Sequence, residues 1–105
     1  MDNFKIIYRI LRYLEDAMDY PEIDIDAFSA TALNITKERW DSIMVMLVEN
    51  RYIKGAVARV HQRQKPQLMF PERAQITLKG LEYLNENSTM KKVAYALKGV
   101  IDVIS

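Results

Sequence analysis

The sequence predicts an α+β, mostly helical chain: a winged helix-turn-helix with an additional C-terminal helix packed on helix 1. Three observations predict it. Thr36 to Gly55 reads as a helix, a tight turn and the start of a strand: Trp40, Ile43, Met44, Leu47 and Val48 recur at helical spacing, and Tyr52 and Ile53 follow as strand formers. Residues 52–77 then enclose a polar, Pro-punctuated middle between apolar ends, the pattern of a wing hairpin. Charge is also divided. Glu15 to Asp26 holds six acids and no base, whereas Arg51 to Arg73 holds six bases and one acid, Glu72.

The first helix is expected from Asp2 or Asn3, either of which can cap it, to Met18. It carries two apolar stripes, Phe4-Ile7-Leu11-Leu14-Met18 and Ile6-Ile10-Tyr13-Ala17, which implies contact on two sides. Pro21 pushes Tyr20 out of helical geometry, so residues 19–22 read as a loop. Ile23 or Ile25 is a candidate short strand. Asp24 or Asp26 then caps a short second helix, about Ala27 to Leu33, that turns Phe28 and Leu33 inward. Asn34-Ile35-Thr36 is the turn. Thr36 caps the third helix, and Ile35 in front of the cap can staple it. Asn50 is expected to close that helix in the left-handed conformation.

Tyr52 to Val60 reads as a strand whose apolar positions are Val57, Ala58 and Val60. His61 to Pro71 reads as the tip, and a return strand is placed near Gln75 to Thr77. Thr77 caps a fourth helix with Leu78, Leu81 and Leu84 available to the core. Gly80 inside it costs up to about 1 kcal/mol against Ala, which suggests close backbone packing. Ser88 caps a last helix, about residues 89–104, in which Met90, Ala94, Leu97, Ile101 and Ile104 alternate steps of four and three. That stripe suits packing on the second stripe of the first helix, or a homodimer through helices 1 and 5.

A chain of 105 residues that is half apolar suffices for a single domain, 1–105, with a small core. The absence of Cys excludes disulfides and thiolate chemistry and fits a cytoplasmic setting. The opening MDNFKIIYRILRYLED reads as neither a signal nor a transit peptide, and no apolar run is long enough for a membrane span. A net charge of +1 does not by itself imply a polyanionic partner.

Leu47-x-x-Asn50-x-Tyr52-Ile53-x-Gly55, followed by Ile76-Thr77-Leu78-Lys79-Gly80-Leu81-Glu82-Tyr83-Leu84-Asn85-Glu86-Asn87, resembles small winged-helix proteins, and most closely the YjcQ-like family of Gram-positive bacteria and their phages. The resemblance covers nearly the whole chain. It implies the fold and leaves the activity open. Many winged helices carry Gly where this chain has Asn50.

The residues argue against an enzyme, a metal or a cofactor. The one histidine, His61, lies among polar residues with nothing nearby to orient it as a base. The acids of Glu15 to Asp26 match neither a calcium-loop nor a zinc spacing, and the three glycines are scattered rather than forming a phosphate loop. The functional expectation is a small regulatory protein that binds double-stranded DNA. Arg59, Arg63 and Lys65 on the wing would hold phosphates, helped by Gln62 and Gln64; Lys37, Arg39 and Ser42 would lie at the groove. The third helix suits this less well. With Trp40, Met44 and Leu47 inward, Glu38, Asp41, Ser42, Val45, Met46 and Glu49 should face out, and carboxylates repel phosphate. The alternative is a protein-interaction module, such as a phage accessory factor, using Val45 and Met46 on that same face.

Overall fold

The computed structural model describes residues 2–87. It is an α+β arrangement dominated by helices: α1 (Asn3–Asp16), α2 (Ala30–Leu33), α3 (Lys37–Glu49) and α4 (Leu78–Glu86), with four short strands, β1 (Ile53–Lys54), β2 (Val57–Arg59), β3 (Gln67–Met69) and β4 (Gln75–Ile76). The last helix placed by sequence at 89–104, and its contact with the first, lie outside the described residues.

Helix starts are decided by local chemistry. The Asp2 side chain accepts from the Lys5 amide, Thr36 from Arg39 and Thr77 from Gly80, each satisfying an amide that the helix itself leaves free. The α-helix α1 stops at Asp16 and tightens into a 3-10 turn, Ala17–Asp19. Ile6, Ile10, Leu11, Leu14 and Ala17 are buried; Phe4 and Met18, placed by sequence on an inner stripe, are exposed. The stripe that packs is therefore the second one, joined by Leu11 and Leu14.

The stretch after Pro21 differs from expectation. Neither Ile23 nor Ile25 is in a strand. Residues Ile25–Phe28 form a 3-10 turn with Asp24 accepting from the Asp26 amide, and Ser29, not an Asp, caps the single-turn α2. The Tyr13 hydroxyl accepts from the Asp24 amide at 2.7 Å, so that segment's backbone is occupied by a side chain and not by a sheet. Phe28 and Leu33 are buried as expected.

The turn into α3 works as its sequence suggests. Asn34 is left-handed (φ 58°), and the amides of Asn34 and Ile35 return to Thr31 and Ala30 to close α2. At the other end of α3 the same closure is shifted by one residue. Asn50 has φ −91° and bonds its side-chain amide to the Met46 carbonyl; Arg51 takes the left-handed conformation at φ 65°. The amides of Arg51 and Tyr52 then reach Val48 and Leu47.

Beyond α3 the chain forms two separate antiparallel ladders, not one hairpin. Ile53 pairs with Ile76 and Lys54 with Gln75, while Val57, Ala58 and Arg59 pair with Met69, Leu68 and Gln67. The return strand thus begins at Gln67, within the stretch read as the tip. The ladders separate at Gly55 (φ +91°) on one side and a 3-10 turn, Pro71–Arg73, on the other. A Cβ on Gly55 would collide with the Arg73 carbonyl oxygen, so only Gly lets the two sides meet. Ala56 and Leu68 are buried, while Val57 and Val60 are exposed. Of the three apolar positions read from sequence, only Ala58 turns inward, and it is half-buried.

The core joins Ile6, Ile10, Leu11 and Leu14 of α1 to Phe28, Leu33, Trp40, Ile43, Met44, Leu47, Ile53, Ile76 and Leu84. Gly80 explains itself here: a Cβ there would lie 2.5 Å from the Tyr52 carbonyl oxygen and 2.6 Å from Ile76 Cγ1. Thr77 adds to this seam, donating its hydroxyl to the Arg51 carbonyl at 2.6 Å. Leu84 is buried and Leu81 half-buried; Leu78 is exposed, contrary to expectation. Tyr83 stacks edge-on against Tyr52, and burial, with Tyr52 and Asp2 nearby, raises its phenol above the ordinary value.

Candidate nucleic-acid interface

The basic hairpin is seated directly on α3. On β3 the Leu68 side chain is buried and its amide donates to Asp41 Oδ1 at 3.3 Å. Asp41 is itself buried, only 6% exposed, and both its oxygens accept from Lys37 Nζ, at 2.7 and 2.8 Å. A carboxylate can be tolerated there because a cation one turn earlier and a strand amide share its charge. Asp41 was expected to face solvent. The hairpin meets it through Leu68, and Val45 one turn later on the same side is also buried, 2% exposed.

This corrects the reading of α3. Trp40, Asp41, Ile43, Met44, Val45 and Leu47 are all buried, so the helix is covered on two sides, by the core and by the hairpin. What remains exposed is Lys37, Glu38, Arg39, Met46 and Glu49, with Ser42 half-buried. Successive turns of a helix align residues three and four apart, so Glu38, Ser42, Met46 and Glu49 form one narrow strip. Of the pair Val45 and Met46, only Met46 is available to a partner. A signal for this was present: Asp41, Val45 and Val48 repeat at helical spacing beside the core stripe, and Lys37 and Asp41 are four apart.

The predicted cations fall into two groups. Lys37 is held by Asp41 and lies 5.2 Å from the centre of the Trp40 ring. Arg39 is exposed beside the turn, where it lines a shallow depression with Asn34, Ile35 and Thr36. Arg59, Arg63 and Lys65 are all exposed on the hairpin. Arg59 Nε donates to His61 Nε2 at 2.8 Å, which assigns His61 a role in shaping the tip. The tip closes through the Gln64 amide on the His61 carbonyl, with Arg63 left-handed at φ 68°. Every residue from Arg59 to Lys65 is exposed and none is acidic. The acidic stretch lies elsewhere, with Glu15 and Asp16 paired to Arg12.

The seat itself can be tested. Replacing Asp41 by Ala leaves the Leu68 amide without its buried acceptor, a loss of about 1–3 kcal/mol. Urea unfolding should record that loss, and Leu68 amide exchange should accelerate beyond the global change. Asp41→Asn keeps an acceptor and should lose less; equal losses in both variants would show that the ion pair with Lys37 within α3, and not the bond to the Leu68 amide, carries the stability.

Among the described residues, no helix is long and apolar enough to cross a membrane. A family model described as YjcQ protein matches residues 8–103 of the chain. No curated protein and no solved structure matches it.

Proposed function

We propose that this chain, which belongs to the YjcQ family, is a small winged helix-turn-helix protein of the cytoplasm that binds double-stranded DNA in a regulatory role. In this reading α2, the left-handed turn at Asn34 and α3 are the helix-turn-helix, and the β2–β3 hairpin is the wing. One observation carries it: an exposed hairpin tip with three cations, two glutamines and no acid, anchored through Leu68 and Asp41 to the helix that would enter the groove.

The division of labour follows from the charges. Arg59, Arg63 and Lys65 hold phosphates, with Gln62 and Gln64 adding neutral hydrogen bonds. Arg39 and Ser42 are the groove contacts that α3 can offer. Lys37 is already committed to Asp41, and Glu38 and Glu49 share the exposed strip of the helix. Base reading is therefore sparse, and most of the affinity comes from the wing. Such binding is strongly salt-dependent and weakly sequence-selective, because each neutralised phosphate releases counterion.

The test is duplex binding by fluorescence anisotropy across a salt series. Replacing Arg59, Arg63 and Lys65 together by Ala should make the log–log salt slope shallower by roughly 3, at about 0.9 per lost phosphate contact. The loss should be similar on unrelated sequences. Wild-type protein that ignores duplex at low salt, or a slope unmoved by the triple change, would remove this reading. The protein-interaction alternative on α3 is reduced to Met46, since Val45 is buried.

A further inference from the structure

The base of the hairpin holds an aromatic ring in an unusual setting. Phe70 has φ 57° and ψ 49°, the left-handed region, immediately before Pro71. A residue with a Cβ pays roughly 1–2 kcal/mol to sit there. Burial of the ring does not offset that cost, because Phe70 is 42% exposed. The conformation is held from below: the Arg73 amide donates to the Phe70 carbonyl at 3.0 Å, and the Ala74 amide to Pro71 at 3.1 Å. The Arg73 guanidinium lies 4.6 Å from the ring centre, a cation–π contact.

On the hairpin side of the ring the surroundings are uncharged or cationic; the one acid close by in sequence is Glu72, in the turn on the other side. Leu68 is buried and its amide meets α3, so strand alternation turns Met69 and Gln67 away from the helix, with their partners Val57 and Arg59. Val57 is exposed beside this face, and the cationic tip lies beyond Arg59. An exposed ring backed by a guanidinium, at the base of a hairpin whose exposed tip from Arg59 to Lys65 holds three cations and no acid, matches what binds an unpaired nucleotide strand: a π-face for a base and charge for the phosphates.

We infer that Phe70, backed by Arg73, is a stacking platform for an unpaired base, so that the protein engages single-stranded or locally opened nucleic acid in preference to intact duplex. This deepens the proposed function and rests on its claim that the hairpin holds phosphates. In intact duplex the faces of each base are covered by its neighbours, and the ring has nothing to stack on. The ring therefore contributes only where a base is unpaired.

The experiment compares three labelled oligonucleotides: a duplex, the same duplex with a short unpaired bulge, and one of its strands. Each is titrated with wild type, Phe70→Asn and Phe70→Trp. Asn suits the left-handed backbone, so this variant removes the ring while keeping the turn. Wild type should favour the bulged and single-stranded forms. Phe70→Asn should weaken both by about 5- to 150-fold and leave the duplex unchanged, from the alanine-scan range for base stacking; Phe70→Trp should retain both. A fluorescent base analogue in the bulge should be quenched by wild type and not by Phe70→Asn. Duplex binding with no effect of Phe70→Asn on any form overturns this inference and leaves the proposed function standing. Equal weakening on all three forms, or a lowered melting temperature of Phe70→Asn, also overturns it, because the ring is then structural. A protein partner whose capture needs Phe70 while nucleic-acid binding is unmoved overturns it in favour of a protein interface. Absence of binding to all three by wild type removes both.

Discussion

Replacing Trp40 by Ala should cost about 3–5 kcal/mol of folding free energy. Trp40 is 4% exposed and sits where three parts of the chain meet. Its ring lies 6.2 Å from that of Phe28, which in turn stacks on Tyr13 of α1 at 5.2 Å. Its indole N–H donates to the Phe28 carbonyl at 2.8 Å, across a buried interface. The Ala variant thus loses transfer energy, leaves a cavity and orphans a buried carbonyl. A domain of this size is stable by only about 5–15 kcal/mol, so a large part of the total is at stake. Urea titration should show a lower midpoint with an unchanged slope. Trp40→Phe separates the contributions: it keeps a ring and removes the donor, and should lose less than Ala but still about 1–3 kcal/mol. A midpoint for Trp40→Ala close to wild type would mean that the contact between α3 and the Phe28 segment is not part of the folded core.

The second large effect belongs to Gly55. Its φ of +91° is open to Gly and costly to any residue with a Cβ, and an added Cβ would strike the Arg73 carbonyl oxygen. Conformational cost alone is roughly 1–2 kcal/mol. The collision is with backbone, which cannot rotate away as a side-chain end would, so overpacking adds about 1–3 kcal/mol. Gly55→Ala should therefore destabilise by about 2–5 kcal/mol on these two principles together. The sheet's β1–β4 ladder, next to Gly55, should show it first, as faster amide exchange than in α1. A neutral Gly55→Ala would place the crossing of the two ladders elsewhere.

These positions differ in how visible they were beforehand. Trp40 belonged to a stripe that periodicity alone identifies, and its burial follows from that stripe. Asp2, Thr36 and Thr77 were legible as caps because a cap is a contact over three residues. Asp41 and Val45 were misplaced for the opposite reason. The repeat of Asp41, Val45 and Val48 marks a second side, but nothing within α3 says what will cover it; Leu68, twenty-seven residues beyond Asp41, does so. Phe70 was read as part of a polar tip, and its exposure beside Arg73 emerged only once β3 was known to end at Met69. The hairpin cations were legible as a charge run, whereas their seat against α3 was not.

By itself the chain's sequence determined the class of fold, the starts of its helices, the inner stripe of α3 and the separation of acid from base. Each of these depends on neighbours within a turn or two, so the information is local. Only the tertiary structure decided that Arg51 and not Asn50 turns left-handed, that the ribbon splits into two ladders at Gly55, and that α3 presents a thin strip instead of a full face. Those outcomes depend on which distant segment arrives to share a buried surface. A helix with an apolar second side reads the same in sequence whether a hairpin lies over it or water does.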